Sequence, residues 1–143
     1  MSPAPERETS EDVVERPDSA ELARWIAQAV DDKLGEEIVA ADVRELVSYA
    51  DYLVIATARN ERLAKAIVDE VRLRMKRDHG LLPARVEGEQ EARWVLVDYL
   101  DCVLHVQVPE MRERYRLERL WGESGMLDLG LDGADSDAGA DVG

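Results

Sequence analysis

Cysteine is nearly absent from this chain. The single Cys102 lies inside an apolar run, which excludes an internal disulfide. No apolar stretch approaches the ~20 residues that cross a bilayer. The opening MSPAPERETSEDVVERPD lacks the apolar core of a secretory signal. A soluble, cytoplasmic protein with no membrane partner is expected. Histidine occurs only at positions 79 and 105, and two scattered histidines with one cysteine do not make up a metal-ligand set. No Gly-x-Ser-x-Gly elbow is present, and no serine lies near either histidine. These absences leave no catalytic residue, no metal and no cofactor to expect.

Charge is abundant and unevenly placed. Of the net −14, residues 1–19 carry −4 and residues 123–143 carry −6, so the stretch 20–122 holds only −4, with 20 acids and 16 bases. Strong direct binding to a nucleic-acid backbone needs clustered Lys and Arg and is therefore disfavoured. Attachment to a basic protein within a nucleoprotein particle remains compatible with this balance. The two ends read as tails. The first mixes Pro3, Pro5 and Pro17 with charges, and the second is rich in Gly and Asp. Neither buries enough apolar area to offset its ordering entropy. The expected division is a disordered tail 1–19, a single domain 20–122 and an acidic disordered tail 123–143.

Periodicity predicts the elements. Asp18 and Glu21 have capping-box spacing, and Leu22, Trp25, Ile26, Ala29, Val30 and Leu34 recur at helical intervals before Gly35. Asn60 suits the N-cap of a second helix whose inner face is Ala64, Ile67, Val68, Val71 and Met75, closed by Gly80. Pro109 fits the first turn of a third helix carrying Met111, Tyr115, Leu120 and Trp121. Strands are expected at 38–43, 51–58, 83–88, 93–97 and 102–108. The order α-β-β-α-β-β-β-α implies an α/β fold, one small domain with a mixed β-sheet of about five strands packed with helices.

The stretch RWVLVDYLDCVLHVQV (93–108) holds the densest polar and aromatic content. A turn centred on Tyr99-Leu100 pairs Asp98 with Asp101 and Trp94 with His105. Alternation then puts Val95, Val97, Cys102, Leu104 and Val106 on one apolar face, under the helices. Trp94, Leu96, Val103, His105 and Gln107 share the other. A Trp among aliphatics on such a face has the composition of a protein-binding hot spot, or it is covered by a tail or the first helix. Asp98 and Asp101 flank the turn and His105 lies down the strand, so the three do not converge into a catalytic cluster. At 56–62, ATARNER, a strand meets a helix start. It has no glycine-rich loop for a phosphate, and a capped helix with Arg62 on its surface is the simpler expectation.

Three segments in order, DYLVIATARNERLAKAIVDEV (51–71), VEGE…WVLVDYLDCVLHV (86–106) and YRLERLWG (115–122), resemble the Iojap-related ribosome silencing factor family, RsfS. The resemblance covers about Ala20 to Gly122. It implies a nucleotidyltransferase-like α/β domain that binds the large ribosomal subunit through its ribosomal protein fourteen, beside an intersubunit bridge. There it blocks joining of the small subunit and represses translation when nutrients are scarce. It implies no catalysis, in keeping with the missing Gly-Ser and spaced aspartates that hold two metals in a working nucleotidyltransferase. The implied partner surface centres on Trp94 with Leu96, framed by Glu87, Glu89, Asp98, Asp101 and His105. Two alternatives stand beside it: a homodimeric ribosome-assembly factor that hides the Trp94 face, and a residual nucleotide-binding enzyme at Thr57–Arg62. The chain departs from the family at Leu100, where glycine is usual before the second aspartate of the hairpin, and at Arg59, where a small polar residue is usual. Leucine resists positive φ, so the turn is expected to differ in type or to carry an apolar tip.

Overall fold

A strand buried along its whole length organises the molecule. In the computed structural model, which describes residues 17–120 and 125–131, β2 (Tyr52–Thr57) is buried at every position. It is flanked by β1 (Glu36–Asp42) and β5 (Cys102–Gln107), and the sheet continues through β4 (Trp94–Asp98) to β3 (Arg85–Glu87) in the order β1-β2-β5-β4-β3. Only β2 and β5 run parallel, from Tyr52↔Cys102 to Thr57↔Gln107. Parallel neighbours need cover on both faces, which explains the continuous apolar run at 52–56.

Helices α1 (Ser19–Asp32) and α2 (Glu61–His79) cover one face. Leu22, Ile26 and Val30 of α1 and Ile67, Val68 and Val71 of α2 enter a core with Val54, Val95, Val97, Cys102, Leu104 and Val106. Both helix starts follow the local chemistry: Asp18 Oδ2 accepts from the Glu21 amide at 3.3 Å, and Asn60 Oδ1 from the Leu63 amide at 2.8 Å. Gly80 ends α2 at φ 67. The end of α1 differs from expectation. Leu34 lies beyond the helix at φ 72 and 61% exposed, not on its inner face. The left-handed step lets the Gly35 amide reach the Val30 carbonyl at 2.8 Å. A Cβ on Gly35 would overlap the Val30 side chain, so glycine is required there for space.

The hairpin register also differs, by two residues. Trp94 pairs with Gln107, Leu96 with His105 and Asp98 with Val103. The turn centres on Leu100-Asp101, closed by Tyr99 N–H to Cys102 O and by Asp101 N–H to Tyr99 O, each 2.9 Å. The second bond and the φ of 75° at Leu100 make a γ-turn. Tyr99 decides this: it extends the row of Val95 and Val97 into the helix-side core, and is 7% exposed. A slip of two preserves side-chain alternation, so the two faces keep their expected residues.

The second face has thinner cover. The expected third helix is two short ones, α3 (Pro109–Arg114) and α4 (Leu117–Leu120), broken at Tyr115. Arg112 of α3 is 4% exposed. It donates to Thr57 Oγ1 at 2.9 Å, to the Glu37 carbonyl at 2.8 Å and to both carboxylate oxygens of Glu118 at 3.2 Å. A continuous helix would not fold Glu118 back onto Arg112, which accounts for the break.

Residues 125–131, within the stretch expected as an acidic tail, lie along β1, with Ala41 and Met126 in an antiparallel bridge. Trp121 and the expected tail residues 1–16 and 132–143 lie outside the described residues.

Two outcomes follow from this packing. Arg112→Met should lower unfolding free energy by about 3 kcal/mol, because it takes the Arg112 donor from the Glu37 carbonyl and leaves the Glu118 carboxylate with Arg116 at 3.9 Å; the urea midpoint reports it. Leu100→Gly should raise stability by about 0.5–1 kcal/mol, since relief of the positive φ outweighs the glycine's added unfolded-state entropy and the side chain is 54% exposed. An unchanged or lower melting temperature would contradict that account of the turn.

Candidate functional site

Trp94 begins β4 and is held from behind by a strained loop. Gly88 sits at φ 82, and a Cβ there would collide with the Trp94 carbonyl. Ala92 is fully buried at φ 61, and its amide donates to the Gly88 carbonyl at 2.9 Å. A left-handed alanine costs of order 1 kcal/mol, sustained here by burial on both sides. The Arg93 carbonyl accepts from the Val108 amide at 3.0 Å, which ties the loop to the end of β5.

Two rings fix the indole. Nε1 of Trp94 donates to Nδ1 of His105 at 3.0 Å, on the diagonal of the hairpin. The Tyr115 ring, at the break between α3 and α4, stands 5.3 Å from Trp94 at 37°. An indole N–H can only donate, so Nδ1 of His105 must carry the lone pair and Nε2 the proton. Burial pushes the His105 imidazole down to about 4, in agreement with a neutral acceptor.

Trp94 forms one wall of an open groove of about 990 Å³. Lys65 and Asp69 of α2, Glu89, Glu91 and Arg93 of the loop, and Met111 of α3 complete it. The Glu89 carboxylate meets Arg72 at 2.9 Å and Arg93 meets Glu110 at 2.7 Å. The lining is thus an aromatic and an aliphatic group ringed by charges of both signs with an acidic excess. That mixture suits a basic protein surface better than a small apolar ligand.

The expected site residues separate into two groups. Trp94, Leu96 and His105 share the sheet face, with Leu96 packed against the cluster that holds Leu53, Ile55 and Val103, and Glu89 joins Trp94 in the groove. Asp98 and Asp101 lie at the far end of the hairpin, four residues along β4 or ~13 Å from Trp94. Asp98 Oδ1 accepts from the Leu100 amide at 2.7 Å, and its other oxygen stands 3.4 Å from Arg85. The Asp101 carbonyl takes the Asp51 amide at 2.7 Å. Glu87 projects from the edge strand β3, 3.5 Å from Arg85.

Several participants escaped the sequence reading. Tyr115 was placed on a continuous helix, and Lys65, Arg93 and Met111 reach the groove only through folding. Gln107, opposite Trp94, is fully buried with neither amide atom hydrogen-bonded; strand alternation had placed it on this face without indicating burial. His79 lies at the end of α2 as expected, and also stacks on Trp25 with centroids 3.5 Å apart.

At Thr57–Arg62 the hydroxyl of Thr57 is engaged inward, with Arg112 and with Glu37 Oε1 at 3.2 Å, and Asn60 caps α2. Among the described residues no three His, Cys, Asp or Glu side chains converge to hold a metal, and no helix is long and apolar enough to cross a membrane.

The chain resembles known proteins over most of this fold. A family model described as RsfS, ribosomal silencing factor during starvation, matches residues 16–141, beyond the Gly122 limit of the motif resemblance. The ribosomal silencing factor RsfS of Bacillus subtilis is 39% identical over 108 residues, 76% of this chain and 91% of that protein. The mouse protein named mitochondrial assembly of ribosomal large subunit protein 1 is 31% identical over 90 residues, 59% of this chain and 38% of its own. A crystal structure from Chromobacterium violaceum superimposes with a TM-score of 0.71 at 32% identity, over 74% of this chain and 88% of that one.

Burial of the His105 imidazole makes stability depend on pH in a defined direction. The unfolded imidazole titrates near 6.5 and the folded one near 4. The unfolded state therefore binds the proton first, and the contribution is complete above pH 6.5 and lost as pH falls toward 4. Denaturation midpoints between pH 7 and 4.5 should fall more steeply for the wild-type chain than for His105→Gln, which keeps an acceptor but no titration. Equal slopes would contradict the assignment.

Proposed function

Because this chain belongs to the RsfS family of ribosomal silencing factors, we propose that it docks through the Trp94 face onto ribosomal protein fourteen of the large ribosomal subunit. It thereby blocks joining of the small subunit, in the cytoplasm and chiefly when nutrients are limiting. The observation that carries this reading is the half-buried Trp94, pinned by His105 and Tyr115 in the wall of an open groove. A pre-ordered aromatic loses little freedom on binding, which is what a hot spot requires.

Occlusion needs no chemistry. A standard interface of ~800 Å² per partner suffices to occupy a bridge position. The net charge of −14 steers the protein toward a basic ribosomal protein while the RNA phosphates repel it. In this reading the mixed sheet is a nucleotidyltransferase-like scaffold used for binding, without catalysis, and the Thr57–Arg62 junction is structural. A second reading, a part in large-subunit assembly, is favoured by the name of the mouse relative and uses the same docking face.

Gradient sedimentation of purified subunits tests the proposal. The wild-type chain should travel with the large subunit and suppress the joined particle. Trp94→Ala should weaken that association at least thirtyfold, the effect of losing about 2 kcal/mol, with an unchanged circular dichroism spectrum. Undiminished co-sedimentation of the variant would overturn the assignment of this face. Light scattering that shows a wild-type dimer abolished by the same substitution would show that the face also pairs two copies.

A further inference from the structure

The long edge of the sheet is already occupied. Residues 125–131, GMLDLGL, lie beside β1: the Asp42 amide donates to the Gly125 carbonyl at 3.1 Å, and the Leu127 amide to the Ala40 carbonyl at 2.8 Å. These two bonds flank the Ala41–Met126 bridge as a widely spaced pair, so Ala41 and Met126 face each other as a non-hydrogen-bonded antiparallel pair. Side chains alternate as in a strand. Met126, Asp128 and Gly130 are exposed, Leu127 and Leu129 are half-buried, and Leu131 is 5% exposed. All three leucines pack on the core beneath α1 and α2. From α1, Arg24 Nε donates to the Asp128 carbonyl at 3.0 Å.

Recognition here has two components, main-chain pairing along β1 and apolar seats at every second residue. That is the pattern by which sheets bind extended peptides, and nothing in it depends on covalent continuity with the domain. The opposite edge is treated differently. β3 has three residues with exposed Arg85 and Glu87, short and charged enough to discourage pairing. β1 has seven residues, with Ile38 and Ala40 directed into the core side, and such an edge invites a partner strand unless covered.

We propose that the β1–α1 edge is a peptide-binding site for extended segments with leucine at alternate positions, filled in cis by residues 125–131. A segment of that pattern from another protein takes the site when the resident one is displaced. Tethering gives the resident segment an effective concentration on the order of millimolar. The site is therefore closed to weak ligands and yields to tighter ones.

A fluorescein-labelled peptide, SGMLDLGLDG, the sequence of residues 124–133, serves as the probe against two full-length chains. The wild-type chain should bind it at least tenfold more weakly than the variant Leu127→Ser/Leu129→Ser/Leu131→Ser, whose site is vacated. The same peptide with serine for leucine should bind neither. Equal binding to both chains, binding to neither, or equal binding of the serine peptide overturns the proposal. If the triple variant does not fold, Arg24→Ala decides by hydrogen exchange. It removes an exposed clamp, so the Asp42 and Leu127 amides should exchange at least tenfold faster while those of the β4–β5 hairpin do not change. Unaltered exchange at those two amides overturns it.

Discussion

The guanidinium of Arg112 joins parts of the chain that share no other reason to meet. It reaches Thr57 on the central strand, the Glu37 carbonyl at the start of β1 and the Glu118 carboxylate on α4, all while 4% exposed. A buried charge must be paired, so the whole set of partners is required together. Meeting that requirement folds α4 back on α3 and places Tyr115 at the break. Tyr115 then leans on Trp94, so the geometry of the candidate docking face is set by an ion pair that it does not contain.

The sheet divides the labour between its faces. Two long helices seal one side with a large apolar core, and that side supplies stability. The other is covered by two short helices and a smaller cluster around Leu53, Ile55 and Val103, which leaves room for an open groove. Among the described residues, four non-glycine residues adopt positive φ: Leu34, Glu37, Ala92 and Leu100. Stored strain of this kind is tolerated where surrounding contacts over-determine the conformation. At Ala92 the contacts are the core on one side and the Gly88 carbonyl on the other.

Much of this was legible in advance, for identifiable reasons. Asp18 and Asn60 act on amides three residues away, so a local pattern suffices to recognise a helix start. The apolar rows of β4 and β5 survived an error of two in register, because alternation is unchanged by an even shift. Leu34, the split at Tyr115 and the course of residues 125–131 were not legible. The first depends on a close approach between Gly35 and Val30, the second on a buried arginine, and the third on leucines whose seats are built by α1 and β1. Of the expected site residues, Trp94, Leu96 and His105 could be grouped from strand periodicity alone. Asp98 and Asp101 already fell at the turn in that pattern, away from His105, and only the motif resemblance had joined them to the Trp94 face.

What the sequence determined by itself was the order of the five strands and the two long helices, the apolar side of each and the family. These rest on short-range capping, on periods of 2 and 3.6 residues, and on motifs read in order. What only the tertiary structure decided was which side chains converge. The Trp94 indole meets Nδ1 of His105 across a diagonal, Lys65 and Met111 arrive from two different helices, and Arg112 is buried against three separate segments. Such meetings depend on the summed geometry of the whole sheet and its cover, and no local pattern in the chain encodes them.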